Sequence, residues 1–207
     1  FEADAVWFRE HWGARPIDEL ADLPVSDDPV HNLVLEVLST LIDCSINAGT
    51  RYASVVTMKT VVESIRHGNA RVSPFCYVSH AVTVAREHED FATAHEFGAL
   101  GLRLNEEVLQ DSTLLCKLRN MYGGFVSFLA LPLLEGAELL ERGYHDGLES
   151  GDLPFAGYNA GNRLRLLVAS GMELSAAWEN LQRSLAQTLE VRSTPAYDLC
   201  GVSGGFI

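Results

Sequence analysis

The chain has 207 residues, of which 47% are hydrophobic and 21% are charged, and this is the composition of a folded globular protein. Its formal net charge is −13, from 28 acidic and 15 basic residues. Nucleic-acid and anionic-lipid surfaces are bound by clustered Lys and Arg, so this charge argues against both kinds of partner. The four cysteines form no C-x-x-C pair, which predicts reduced thiols in a cytoplasmic protein.

No secretory signal is recognisable at the acidic N-terminus. The longest apolar run, Phe125 to Leu134, is about half as long as a membrane span and contains Pro132. We therefore predict no membrane insertion. Because the chain begins without Met and ends in a Gly-rich segment, it is expected to be a piece of a larger polypeptide.

Residues 1–28 are predicted to be a connector from a preceding element. Apolar and charged residues alternate up to Trp12 as at the end of a helix, and Pro16 breaks this pattern because the residue before a proline avoids the α region. Asp28 is a favourable N-cap and Pro29 suits the first helical position. The helical domain is therefore predicted to begin at residue 29.

The first helix after this start has an apolar residue every three or four positions, which predicts an amphipathic helix with its stripe on the core. The stripe consists of Val30, Leu33, Val34, Val37, Leu38, Leu41 and Ile42. Gly49 is predicted to end this helix, and Thr50 to start a second one that closes near His67.

The same plan continues as hairpins over about 29–67, 73–108, 112–148 and 153–191. Small residues recur early in each second helix at intervals of about 40 residues, at Ala94, Ala137 and Ala177. A single amphipathic helix cannot bury its stripe alone, so stacked hairpins must form the core. Residues 192–207 are rich in Ser, Thr, Pro and Gly and are read as a loop or as a truncated next element.

These features predict an all-α fold in which antiparallel helical hairpins stack as a tetratricopeptide-like superhelix, that is, an α-solenoid. The repeat is longer than the usual 34 residues of the tetratricopeptide class. HEAT-like repeats, with a period nearer 40 residues, are the structural alternative.

A more specific resemblance lies in Ile17–Pro29, which reads Ile-Asp-Glu-Leu-Ala-Asp-Leu-Pro-Val-Ser-Asp-Asp-Pro. This segment resembles one in very large bacterial signalling proteins that join a serine/threonine kinase, an AAA-type ATPase, a helical-repeat region, a GAF domain and a sensor histidine kinase. Further residues similar to that repeat region are Gly68, Asn69, Phe75, Tyr77, Gly151, Asp152, Phe155, Tyr158 and Asn162. The resemblance covers roughly residues 15–195, and it implies the linker and sensor region of such a protein.

No catalytic site, metal site or cofactor is predicted. The kinase and ATPase motifs GxxxxGK[ST], HRD and DFG are absent from the sequence. His80, His88 and His95 have no i+3 or i+4 spacing, which is the spacing that metal-binding helices use. The chain is therefore predicted not to be an enzyme by itself.

The remaining candidate site is the groove that the first helix of each hairpin would line. Counting back from the three alanines places six side chains there: Cys76, Ser79, Arg119, Tyr122, Asn159 and Asn162. Polar groups in such a groove can bind a peptide backbone or a carboxylate. The predicted function is a protein-interaction and signal-relay module whose partner is a protein or peptide, including other domains of the same chain. The alternative is a small-molecule sensor with its ligand in the groove.

Overall fold

The computed structural model describes residues 2–13, 15–48 and 52–205, and this part of the chain is almost entirely helical. It contains no strand, and an isolated parallel bridge between Val25 and Asn69 is the only extended pairing within it. The all-α prediction is confirmed. The predicted helix end at Gly49 and helix start at Thr50 lie outside the described residues. The chain divides into two compact units, Phe1–Gln110 and Asp111–Ile207.

The first unit is built from helices that pack in chain order, α2 on α3, α3 on α4 and α4 on α5, with α1 also on α3. A short 3-10 helix at Ile17–Asp22 packs on α5, and a π-helical stretch at Leu104–Leu109 continues α5. The helices are α1 (Glu2–His11), α2 (Pro29–Asn47), α3 (Tyr52–His67), α4 (Ser73–His88) and α5 (Phe91–Arg103).

Asn69, in the turn between α3 and α4, ties the segment before α2 to the first unit. Its side-chain amide donates to the carbonyl of Leu20 at 2.8 Å and accepts from the Tyr77 hydroxyl at 2.8 Å. Its backbone N–H donates to Pro24 and its carbonyl accepts from Ser26, both at 2.8 Å. The residues preceding α2 are thus packed into the first unit.

The second unit contains α6 (Ser112–Phe125), α7 (Leu133–Ser150), α8 (Leu153–Ala169), α9 (Leu174–Glu190) and α10 (Thr194–Gly204). Each helix packs on the next, and α8 also packs on α6 and α10. Asp111 and Asp152 cap α6 and α8, because their side chains accept hydrogen bonds from backbone N–H groups of the first turn. The largest fully buried side chains of this unit include Leu118, Leu140 and Leu164.

For residues 192–207 the sequence predicted either a loop or a truncated next element. In the structure this segment contains helix α10. Arg192 adopts a left-handed conformation with a φ of 54°, and α10 begins two residues later. Pro195 stands in the first turn of α10, where a missing N–H group costs no helical hydrogen bond.

Candidate functional site: an exposed apolar face on one helix

The structure buries the six side chains that were predicted to line a groove. Their exposed fractions are 4% or less, except for Arg119, whose side chain is 12% exposed. Two of them lie on α4 of the first unit, and the other four lie on α6 and α8 of the second unit. The six are Cys76, Ser79, Arg119, Tyr122, Asn159 and Asn162. These positions therefore serve helix packing, and none of them displays an open polar surface.

Arg119 already has a carboxylate partner within its own unit. Its Nη1 lies 2.5 Å from Oδ2 of Asp146 on α7, and the Asp146 side chain is only 17% exposed. A guanidinium bound to a carboxylate in this way joins α6 to α7. The arginine expected to anchor a partner is used inside the fold.

Asn159 fixes α8 against α6 and α7. Its side-chain N–H group donates to the carbonyl of Cys116 at 3.0 Å and to that of Phe155 at 2.8 Å. Its Oδ1 lies so close to Gly143 that a Cβ added there would be 2.5 Å away, so α7 needs glycine at this position. Burial raises the pKa of the nearby Cys116 thiol to about 12, which keeps it protonated and unreactive.

His80 is a neutral core residue. It is 5% exposed, its Nδ1 lies 3.2 Å from Oγ1 of Thr57, and its ring meets Phe97 edge-on. Burial, with a smaller contribution from His88, lowers the pKa of His80 to about 3. Across the described residues, no group of three or more His, Cys, Asp or Glu side chains is arranged to hold a metal ion.

Charged side chains also join three helices of the second unit. Glu141 on α7 binds Nε of Arg163 on α8 at 2.5 Å, and it also binds Arg183 on α9. Arg163 donates further to Oδ1 of Asn180 at 3.1 Å. Burial lowers the pKa of Arg163, but a guanidinium stays charged at neutral pH. This network joins α7, α8 and α9, and its polar groups interact mainly with one another.

One surface that is left without a partner is the apolar stripe of α2, which was expected to face the core; α9 also exposes Leu174, Trp178 and Leu189. Val30, Leu33 and Val37 are 68%, 60% and 53% exposed, and Val34 and Leu41 are also exposed. We call these five residues the α2 apolar face.

The opposite side of α2 makes the contacts with the first unit. Leu35 and Ile42 are fully buried there, and His31 donates a hydrogen bond from Nε2 to the Gly68 carbonyl at 3.0 Å. Because α2 packs mainly on α3, with lighter contact to α4, its broader apolar side is not covered within this unit. The expectation that this stripe packs on the core is wrong for most of its members.

The α2 apolar face has the dimensions of a helix-binding surface. From Val30 to Leu41 it extends over eleven residue-to-residue steps, or about 16 Å at 1.5 Å per step. It contains no charged residue, and α2 as a whole has no Lys or Arg. Contiguous exposed apolar surface of this kind marks sites of interaction in proteins.

Comparison with known proteins finds no matching protein family, no similar curated protein and no similar solved structure. None of the described helices combines the length and the apolar character needed to cross a bilayer.

Proposed function

We propose that this chain is a non-catalytic protein-interaction module that binds a helix of a partner protein along the α2 apolar face. The observation that carries the proposal is the exposure of five apolar side chains on one side of one helix. Leaving them in water forfeits their burial free energy, and a partner that covers them recovers about 25 cal/mol for each Å² of apolar surface.

The spacing of the five residues favours a helix as the partner. Val30, Leu33, Val34, Val37 and Leu41 follow the i, i+3, i+4, i+7, i+11 pattern, which forms a ridge along a helix. Such a ridge packs into the groove between side-chain rows of a second helix.

The charge of α2 favours a protein partner over a membrane. A helix that lies on an anionic bilayer usually has Lys and Arg beside its apolar side, and α2 has neither. The net charge of −13 opposes approach to such a bilayer.

The architecture we propose is a tetratricopeptide-like stack of hairpins in a cytoplasmic, kinase-associated protein. Contacts of α8 with both α6 and α10, and of α4 with α2, are typical of stacked hairpins and support this proposal. The resemblance of Ile17–Pro29 to large bacterial signalling proteins suggests where the partner lies. The partner helix would belong to another domain of the same signalling protein, and the module would relay a signal between domains.

The experiment measures binding of those other domains to the chain and to two variants. Leu33→Glu places a charge on the α2 apolar face, and Leu174→Glu makes the same change at a leucine of α9 that is similarly exposed. We expect Leu33→Glu to weaken binding by about tenfold or more and Leu174→Glu to leave it unchanged. Because both leucines are exposed, both variants should unfold within about 0.5 kcal/mol of the original chain.

Equal affinities for the three chains would remove the α2 apolar face as the binding surface. Sedimentation of each chain alone identifies a further outcome. A dimer that is lost only in Leu33→Glu would identify a second copy as the partner and would replace the inter-domain proposal.

A small-molecule sensor is the second candidate function. It is favoured by a pocket of about 310 Å³ in the second unit, where α9 meets α10. This volume is at the lower end of the range for ligand sites.

A further inference from the structure

A second pocket of the second unit lies between α8 and α10, and its wall is almost entirely apolar. Val202 is 66% exposed beside it, Val168 and Leu199 are half-buried, and the Ser203 hydroxyl donates to the Leu199 carbonyl of its own helix. The volume is about 250 Å³. A water-sized group occupies about 30 Å³ of liquid, so this space suits a ligand of about eight such groups. We call it the α8–α10 pocket, and its lining consists of Arg165, Val168, Ala169, Leu199, Val202 and Ser203.

Arg165 is the charged residue of this pocket, and the end of α6 holds its guanidinium. Nη2 donates to the carbonyl of Gly124. The guanidinium carbon lies 5.6 Å from the ring centre of Phe125 and 5.9 Å from that of Phe128. Nε is buried without a hydrogen-bond partner, and Nη1 has no partner among the described residues. The guanidinium is therefore positioned by α6 while two of its three nitrogens keep unused donors.

Arg165 has no carboxylate partner among the described residues, unlike the other half-buried arginines of this unit. Arg119 pairs with Asp146, and Arg163 pairs with Glu141. Burial lowers the pKa of Arg165 and no carboxylate opposes this effect, whereas Glu141 opposes it at Arg163. A guanidinium stays charged at neutral pH, so a cation is kept partly out of water here without a counterion. A ligand that brings an anion would supply the missing partner.

We propose that the α8–α10 pocket binds a small carboxylic acid with an apolar chain of about eight carbons. The chain would lie against Val168, Leu199 and Val202, and the carboxylate would pair with the guanidinium of Arg165, which borders the pocket. A charge-assisted hydrogen bond is stronger than a neutral one, and apolar surroundings reduce its screening by water. This inference adds a binding site to the proposed function, and it rests neither on the α2 apolar face nor on the pocket where α9 meets α10.

The test titrates the whole chain with octanoate, 1-octanol and acetate by calorimetry, below the concentration at which octanoate forms micelles. Octanoate and octanol share the apolar chain and differ in charge, whereas acetate shares only the carboxylate. We expect octanoate to bind about tenfold or more tightly than octanol, because a hydrogen bond to a charged group is added. Acetate should not bind measurably over the same range. Added salt should weaken octanoate binding more than octanol binding, because it screens the ion pair.

Three variants test the assignment of residues. Arg165→Gln should reduce the affinity for octanoate to about that for octanol and leave octanol binding unchanged, because it removes the charge but keeps a donor for the Gly124 carbonyl. Unchanged octanol binding would show that the pocket is intact, a result that a merely structural role for Arg165 does not give. Val202→Glu places a carboxylate on the exposed wall and should weaken both ligands. Arg142→Gln makes the same charge change at an exposed arginine of α7 outside the pocket and should have no effect.

Four results would overturn the proposal. Octanoate that binds no more tightly than octanol to the original chain would show that the carboxylate does not meet the guanidinium, whatever the variants do. An equal loss of both ligands in Arg165→Gln would make Arg165 a packing residue. Octanoate binding that is unchanged in Val202→Glu would place the ligand elsewhere. Equal losses of octanoate binding in Arg142→Gln and Arg165→Gln would indicate attraction by surface charge alone.

Discussion

Arg119 and Asp146 pair at 2.5 Å with side chains that are only 12% and 17% exposed. Bringing two charges out of water costs free energy that their attraction only partly offsets. Removing one partner leaves the other charge poorly solvated, which is more costly than removing both. An interaction between α6 and α7 that contributes modestly as a pair can therefore be very sensitive to a single substitution.

Arg119→Ala should therefore lower the free energy of unfolding by about 2 kcal/mol, allowing for the residual exposure of both groups. The double variant Arg119→Ala, Asp146→Ala should be more stable than Arg119→Ala alone. Urea unfolding at neutral pH measures both differences. Arg15→Ala is the matched control, because its partner Glu19 and Arg15 itself are 41% and 54% exposed, and we expect a loss below about 0.5 kcal/mol there. Equal losses for Arg119→Ala and Arg15→Ala would contradict this account.

α7 shows how a helix divides its leucines between core and solvent. Leu140 is fully buried in a cluster with Ala137, Leu166 and Leu167, whereas Leu134 on the same helix is 55% exposed. Truncating a buried leucine loses its transfer free energy and leaves a cavity, while truncating an exposed one does neither.

We therefore expect Leu140→Ala to lower the free energy of unfolding by about 2–5 kcal/mol. Leu134→Ala should stay within about 0.5 kcal/mol of the original chain. Both substitutions make the same chemical change in one helix, so propensity effects largely cancel in the comparison. Chemical denaturation gives the two values, and similar values would show that α7 is not packed through Leu140.

In contrast to the buried Leu140 of α7, most of the apolar stripe of α2 is exposed to solvent. Helical periodicity places Val30, Leu33 and Val37 on one side of the helix, but it does not determine whether a neighbour covers that side. In the first unit α3 contacts the side of Leu35 and Ile42 instead. An amphipathic stripe is consistent with an internal core and equally with a docking surface.

The molecule consists of two compact units, and the second one carries its own core. Buried clusters around Leu140, around Tyr144 and around Leu164 all draw their members from residues after Asp111. A region that has its own buried core, and whose core makes few contacts outside the region, can fold as a domain.

We predict that a polypeptide of residues 111–207 folds alone. It should give a helical circular dichroism spectrum and a single cooperative thermal transition, because the contacts that define its core are all internal. A polypeptide of residues 111–191 keeps the Asp111 cap of α6 but lacks α10 with its buried Ala196 and Cys200. It should melt at a lower temperature, because the surfaces of α8 and α9 that α10 covers become exposed. A non-cooperative transition for residues 111–207 would show that the unit is not an independent domain.

Local chemistry was sufficient to predict the class of this fold. Apolar residues at helical spacing, Pro29 at a helix start and the capping residue Asp28 act within a few residues of chain, so they can be read directly from the sequence. The all-α architecture follows from them. Ile17–Pro29 could be recognised as a distinctive segment, but its attachment to Asn69 and Tyr77 could not.

Tertiary structure decided which residues are available for binding. Arg119 and Asn159 were predicted for a groove because both are polar residues at equivalent repeat positions, but their burial depends on Asp146, Cys116 and other partners brought together from distant parts of the chain. The α2 apolar face and the α8–α10 pocket likewise depend on which neighbours are present or missing. Periodicity determines which side of a helix a residue occupies, whereas exposure is determined by the packing of all helices around it.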